Sequence, residues 1–178
     1  ADDTQDRLCS CSTIGTQCFL IRNLLRPEEQ AALFRDIQER DRTPWDSMPR
    51  AMVPSPKTLQ LGKQGQPTLE FSKGDTSLFN AMVERAVERL AGAGAFTHNR
   101  PGSFISEYTK FSAAVIKYRS PDGKFPPHVD HVDGSINCLL SLGCSAAFMV
   151  KCPGMEQKRE LTLSSGDLIA FDTSTRAN

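Results

Sequence analysis

From residue 113 onward the chain is a succession of short apolar or alternating runs, "AAVIKY", "SINCLLSL", "AAFMV", "RELTL" and "DLIAF", separated by Pro, Gly and Asp. That rhythm predicts antiparallel strands closed into a sandwich or barrel, because each run is about the length of one strand and the residues between runs form turns. The C-terminal half is therefore expected to be β. The first half reads differently. "CFLIRNLLRPEEQAALFRDIQER" opens as a short strand at Phe19 to Ile21 and then turns helical, with Pro27 suited to the first turn, Glu28 and Glu29 at the positive helix end, and Leu33 and Ile37 one turn apart. A second helix is predicted after "KGD": Leu78, Met82, Ala86 and Leu90 recur every four residues, Val83 and Val87 lie beside them, and Gly92 marks the stop. Both stripes are expected to be core contacts.

Between these helices, "TPWDSMPRAMVPSPKTLQLGKQGQPTLEF" holds five prolines, with only Thr58 to Leu61 alternating as a strand. A connection this long is either disordered or a functional lid. The stretch 44–74 carries Arg50, Lys57, Lys63 and Lys73 against Asp46 and Glu70, a modest basic excess that reads first as ordinary solvated surface.

The 178 residues, 39% hydrophobic and with 21 basic against 21 acidic side chains, suit one soluble domain with a normal core. Zero net charge argues against a protein that simply coats nucleic acid. No apolar run approaches the roughly 20 residues that cross a bilayer, and the polar start "ADDTQDRLCSCS" has no signal-peptide core, so no membrane association is expected. The expected location is intracellular, cytoplasmic or nuclear; an organellar one stays open, since a chain beginning at Ala1 reads as a processed or excised piece. Of the six cysteines, Cys9, Cys11 and Cys18 fit no common zinc-finger spacing, and Cys138 and Cys144 lie in apolar runs. Reduced thiols are expected.

The chemistry concentrates in "PPHVDHVDGS", residues 126–135, which repeats His-Val-Asp and contains two of the three histidines. In an extended chain residues i and i+2 share a face, so His128 and Asp130 form one pair and His131 and Asp133 another on the opposite face. Pro126 and Pro127 hold the chain extended into His128, whereas Asp133-Gly134 is a turn signal. The first pair is favoured as metal ligands, with His131 at the rim of the site and Asp133 as a turn former. An imidazole and a carboxylate are two thirds of the facial triad that holds iron(II) and leaves positions for oxygen and a co-substrate.

In order along the chain, "AVIKYRSPDGKFPPHVDH", "INCLLSLGCSAAFMV" and "LSSGDLIAFDTSTRAN" resemble the core strands of the AlkB-like dioxygenases that depend on 2-oxoglutarate and iron(II), and "FLIRNLLRPEEQAAL" resembles that family's first strand and helix. The resemblance implies an α+β, mainly β fold: a double-stranded β-helix, or jelly roll, with N-terminal helices packed on it. It further implies Fe(II), 2-oxoglutarate and O2 as metal, co-substrate and oxidant, and oxidative dealkylation of a nucleic-acid base or, less often, a protein. By position, His128 and Asp130 match the family's first two iron ligands and Tyr118 a tyrosine that contacts 2-oxoglutarate. His131 and Asp133 fall on the substrate side, and 44–74 takes the place of the nucleotide-recognition lid of a single domain, 1–178.

The chain also departs from the family. Ile116 stands where many relatives have an asparagine that contacts the co-substrate. The family's second histidine ligand and its 2-oxoglutarate-binding arginine are expected after "FDTSTR", with the last core strand, and neither precedes Asn178. The 178 residues alone are accordingly expected to be inactive. Two other readings stay open: a prolyl-hydroxylase-like protein hydroxylase, whose metal pair is approached by a segment similar to "YRSPDGKFPPHVD", and a non-catalytic jelly-roll binding module. The segment "SLGCSAAF" and the lack of a Gly-Gly-x-Thr-x-Phe pattern favour the AlkB-like group over the former.

Overall fold

The structure, a computed structural model, describes residues 9–15, 17–40, 57–60, 77–95, 114–117, 127 and 136–172. Within these the chain forms β1 (Ser10–Gly15), β2 (Cys18–Arg22), α1 (Pro27–Arg40), β3 (Lys57–Gln60), α2 (Ser77–Gly92), β4 (Ala114–Lys117), β5 (Ile136–Leu140), β6 (Ala146–Val150), β7 (Arg159–Leu163) and β8 (Leu168–Asp172). All strand pairs are antiparallel: a four-stranded sheet in the order β1-β2-β8-β5 and two two-stranded sheets, β3-β4 and β6-β7. The described chain is thus mainly β with two helices, as the apolar rhythm predicts. The C-terminal pairing is nested. β5 pairs with β8, and the β6-β7 hairpin is formed entirely from the chain between them. A long hairpin folded over in this way is the building step of jelly-roll architectures.

The two central strands of the four-stranded sheet, β2 and β8, are buried on both faces, which explains why β2 is the unbroken apolar run Cys18-Phe19-Leu20-Ile21. Alternation sorts the side chains. Phe19, Ile21, Leu168 and Ala170 pack with Leu33 and Ile37 of α1 and with Met82, Ala86 and Leu90 of α2. On the opposite face Cys18, Leu20 and Ile169 pack with Leu161 and Leu163 of β7, and Leu139, Phe148, Val150 and Phe171 join them. Helices, sheet and hairpin therefore form successive layers, and the helical stripes are core contacts.

Local chemistry sets the helix ends. The carbonyl of Arg26 accepts the first helical bond of α1, from Gln30 N at 2.9 Å, and the Glu29 carboxylate reaches back to Arg26 N at 2.8 Å, half of a capping box. α2 continues to Gly92, and the residue that closes it is Gly94, at φ +66°. Gly94 N bonds Ala91 O at 2.9 Å and Ala95 N bonds Leu90 O at 2.9 Å, a Schellman closure in which Ala95 and Leu90 both enter the core.

Glu29 also ties the helices together. Arg85 of α2 grips it with two bonds, Nη1 to Oε2 at 2.9 Å and Nη2 to Oε1 at 2.8 Å, and donates a further Nη1 bond to Leu24 O at 2.9 Å. The Arg85 guanidinium, aided by the Arg26 bonds and opposed by burial, holds the Glu29 carboxyl down at about 2 from an ordinary 4.5. A depressed carboxylate stabilises the fold above its unfolded pKa, and that contribution is lost as pH falls toward its folded value. Stability is therefore expected to decline between about pH 4.5 and 2 in the native chain, with this component, about 2 kcal/mol after screening by nearby solvent, missing from an Arg85→Ala variant. Urea midpoints measured at pH 7 and pH 3 check it: the gap between the two proteins should narrow at the lower pH.

Candidate metal centre

In chain order the predicted ligands lie between β4 and β5. β4 ends at Lys117, one residue before Tyr118, and β5 begins at Ile136, three residues after Asp133. The stretch that carries Tyr118, His128, Asp130, His131 and Asp133 therefore joins the β3-β4 sheet to the β5 edge of the four-stranded sheet. These five side chains lie outside the described residues, as do all three histidines; Pro127, directly before His128, is described and exposed.

The register of β5 against β8 carries the geometric argument. Ile136 is the partner of Asp172, so the strand end that follows the His-Val-Asp repeat stands beside the strand end that leads into "TSTRAN". The opposite ends of the same two strands are locked by the other two motifs. Ser141 N donates to Asp167 O at 2.9 Å, Gly166 N to Ser141 O at 2.8 Å, and Gly143 N to Ser165 Oγ at 3.0 Å, so the Ser-Leu-Gly segment and the Ser-Ser-Gly-Asp turn are bonded to each other. Gly166 has φ +86°, and a Cβ there would collide with Gln30 Nε2 and lie 2.9 Å from Leu25 O. Only glycine fits where this turn passes under the start of α1.

Asp167 anchors the turn from inside. It is 1% exposed, and its carboxylate accepts from Ser164 N at 2.8 Å, Asn23 N at 3.0 Å and the Arg22 guanidinium, which also donates to Thr162 O at 2.6 Å. Asn23 takes the left-handed conformation, φ +52°, that an Asn tolerates and that aims its N–H at this carboxylate. Asp167 is thus a positioning residue: it joins the ends of β2, β7 and β8, and the far end of β8 is Asp172, the partner of Ile136. Sequence reasoning quoted the Ser-Gly-Asp segment without finding this role. The available signal is an acid following glycine at the head of the apolar run Leu168-Ile169-Ala170-Phe171.

The donors of the predicted pair, one imidazole nitrogen and one carboxylate oxygen, suit iron(II). Among the described residues no group of three or more His, Cys, Asp and Glu side chains could hold a metal ion, so the described part of the fold offers no competing centre. None of the six cysteines is in a disulfide. No helix among the described residues is long and apolar enough to cross a membrane.

An antiparallel, mainly β fold with nested C-terminal strands and a helical layer on one sheet is consistent with the jelly-roll oxygenases. The chain matches the family described as the 2OG-Fe(II) oxygenase superfamily over residues 17–178. It belongs to that superfamily, whose members use Fe(II), 2-oxoglutarate and O2. Neither the curated proteins nor the solved structures gave a match to the chain.

Proposed function

We propose that this protein is an AlkB-like oxygenase, built as one domain on a double-stranded β-helix, that oxidatively dealkylates a nucleic-acid base, with an alkylated protein side chain as the other substrate of the same chemistry. The observation that carries the reading is the β5-β8 register, Ile136 beside Asp172. It supports a metal centre at the sheet end that the His-Val-Asp segment approaches.

In this reading His128 and Asp130 hold the metal, and Tyr118 donates its hydroxyl hydrogen bond to a carboxylate of 2-oxoglutarate. Bound iron(II), with 2-oxoglutarate and O2, supplies the oxidising chemistry that hydroxylates a carbon–hydrogen bond. The chain contributes orientation and exclusion of water. Pro126 and Pro127 keep the approach to His128 extended, and His131 and Asp133 face the substrate side. Residues 44–74 act as the substrate lid. Supporting this, the described piece of that stretch, β3, pairs Lys57 with Lys117 and Thr58 with Ile116, on the strand that leads straight into Tyr118.

The test compares substrates. A purified chain that carries these residues and extends past Asn178, supplied with iron(II) and 2-oxoglutarate, is given N-methylated oligonucleotides, methylated peptides or proline-containing peptides, and succinate and formaldehyde are measured. Hydroxylation of an N-methyl group gives a hemiaminal that releases formaldehyde, so succinate and formaldehyde should rise together with the methylated oligonucleotide. Succinate driven by proline peptides without formaldehyde would assign the chain to the prolyl-hydroxylase-like group instead. Binding of oligonucleotide with no succinate under any condition would make it a binding module.

A further inference from the structure

Cys18 and Cys152 belong to different layers of the fold and meet in the core between the four-stranded sheet and the β6-β7 hairpin. Cys18, on β2, has no exposed surface, and Cys152, in the turn after β6, is 7% exposed. Cys152 packs against the β1-β2 hairpin beside the register partner of Cys18. Gly15 makes the room for it. Gly15 is the register partner of Cys18, and a Cβ at this position would stand 2.9 Å from Cys152 Cβ and 3.0 Å from its Sγ. Any larger residue at 15 would push Cys152 away from the β1-β2 hairpin. The turn also fixes the Cys152 backbone, since Met155 N donates to Cys152 O at 3.1 Å and Cys152 N donates to Met155 Sδ at 3.3 Å.

We infer that Cys18 and Cys152 are a disulfide-forming pair that, when oxidised, fastens the four-stranded sheet to the β6-β7 hairpin. The oxidant is a small-molecule disulfide. One protein thiol loses its proton and attacks that disulfide, expelling the first small thiol; the second then attacks the mixed disulfide and expels the other. Two S–H bonds are exchanged for one protein S–S bond, and the two electrons and two protons leave on two small-molecule thiols.

The surroundings favour a neutral product. Ile14, Leu20, Leu139, Phe148, Leu161, Leu163 and Ile169 share the cluster, and burial pushes the Cys18 thiol up to about 12 and raises that of Cys152 as well. Thiolates are scarce there, which suits neither a nucleophile nor a cation-binding pair. A bridge places no charge in the cluster. For the same reason exchange in the folded protein is slow, and the bridge closes during folding, while the thiols still meet solvent.

The test refolds the full chain from denaturant in a mixture of reduced and oxidised glutathione and, separately, in dithiothreitol. Peptide mapping without reduction should find the Cys18 peptide joined to the Cys152 peptide, and the oxidised protein should melt about 10 °C higher, since the bridge closes a loop of most of the chain. Cys152→Ala should abolish both. Truncating a buried thiol can itself disturb folding, so a second variant keeps the pair and replaces Cys9, Cys11, Cys138 and Cys144 by serine; it should retain the bridge and the shift. A chain folded by circular dichroism in the oxidising buffer whose Cys18 and Cys152 are both alkylated on denaturation, or a bridge between other cysteines, would overturn the inference.

Discussion

Asp167→Ala is expected to destabilise the fold by about 3 kcal/mol and to lower Tm by about 10 °C. The carboxylate lost accepts two backbone N–H groups, of Ser164 and Asn23, and the Arg22 guanidinium. With alanine in place, both N–H groups lose their partner and the buried end of Arg22 keeps a charge with no counterion. Because the Arg22 side chain is 36% exposed, water relieves part of the cost, which keeps the figure at the lower end of the range for a broken buried pair. Asp167→Asn retains one carbonyl acceptor and should fall between alanine and the native protein. Thermal unfolding followed by circular dichroism checks the series. A native-like Tm for Asp167→Ala would mean that the β7-β8 turn is held by its backbone bonds alone, and the positioning role would be withdrawn.

On the proposed assignment, His128→Ala in a chain extended past Asn178 should reduce substrate-driven release of carbon dioxide from labelled 2-oxoglutarate by more than about 100-fold, since even the outer partners of metal ligands contribute 10–100-fold to metal affinity or activity. His131→Ala should keep 2-oxoglutarate turnover and raise the KM for the alkylated substrate. The contrast matters because the two histidines occupy identical tripeptides three residues apart. Loss of turnover on replacing His131, with His128→Ala active, would move the metal to the second pair. An iron(II)-binding titration of each variant separates loss of metal from loss of substrate.

The described elements differ in how legible they were. The four-residue stripe of α2 is visible because Met82, Ala86 and Leu90 must all reach one sheet face, and its stop is visible too, since the helix ends at Gly92, with the positive φ of the closing turn at Gly94. Strand alternation exposed β5 to β8 but not their partners, since pairing joins residues as distant as Cys18 and Phe171. β1 went unread. "SCSTIG" has no regular alternation and a single large apolar residue, Ile14, and becomes a strand by bonding to the edge of β2. The donor types of the candidate centre are legible as letters, because imidazole and carboxylate at i and i+2 limit the chemistry. What surrounds them is not. Glu29 with Arg85 and Arg22 with Asp167 are pairs made by packing distant segments, and no local pattern announces them.

β8 lies between β2 and β5, hydrogen-bonded to both, yet it is the last described strand in chain order. A ribosome releases it after everything it holds together. Until then β2 and β5 each present an unfilled edge, and the apolar face of β2 has no sheet to complete beneath α1 and α2. The central sheet is consequently assembled only once synthesis has passed residue 172, through contacts of long sequence separation, which makes for slow folding and a nascent chain in need of shielding from its neighbours.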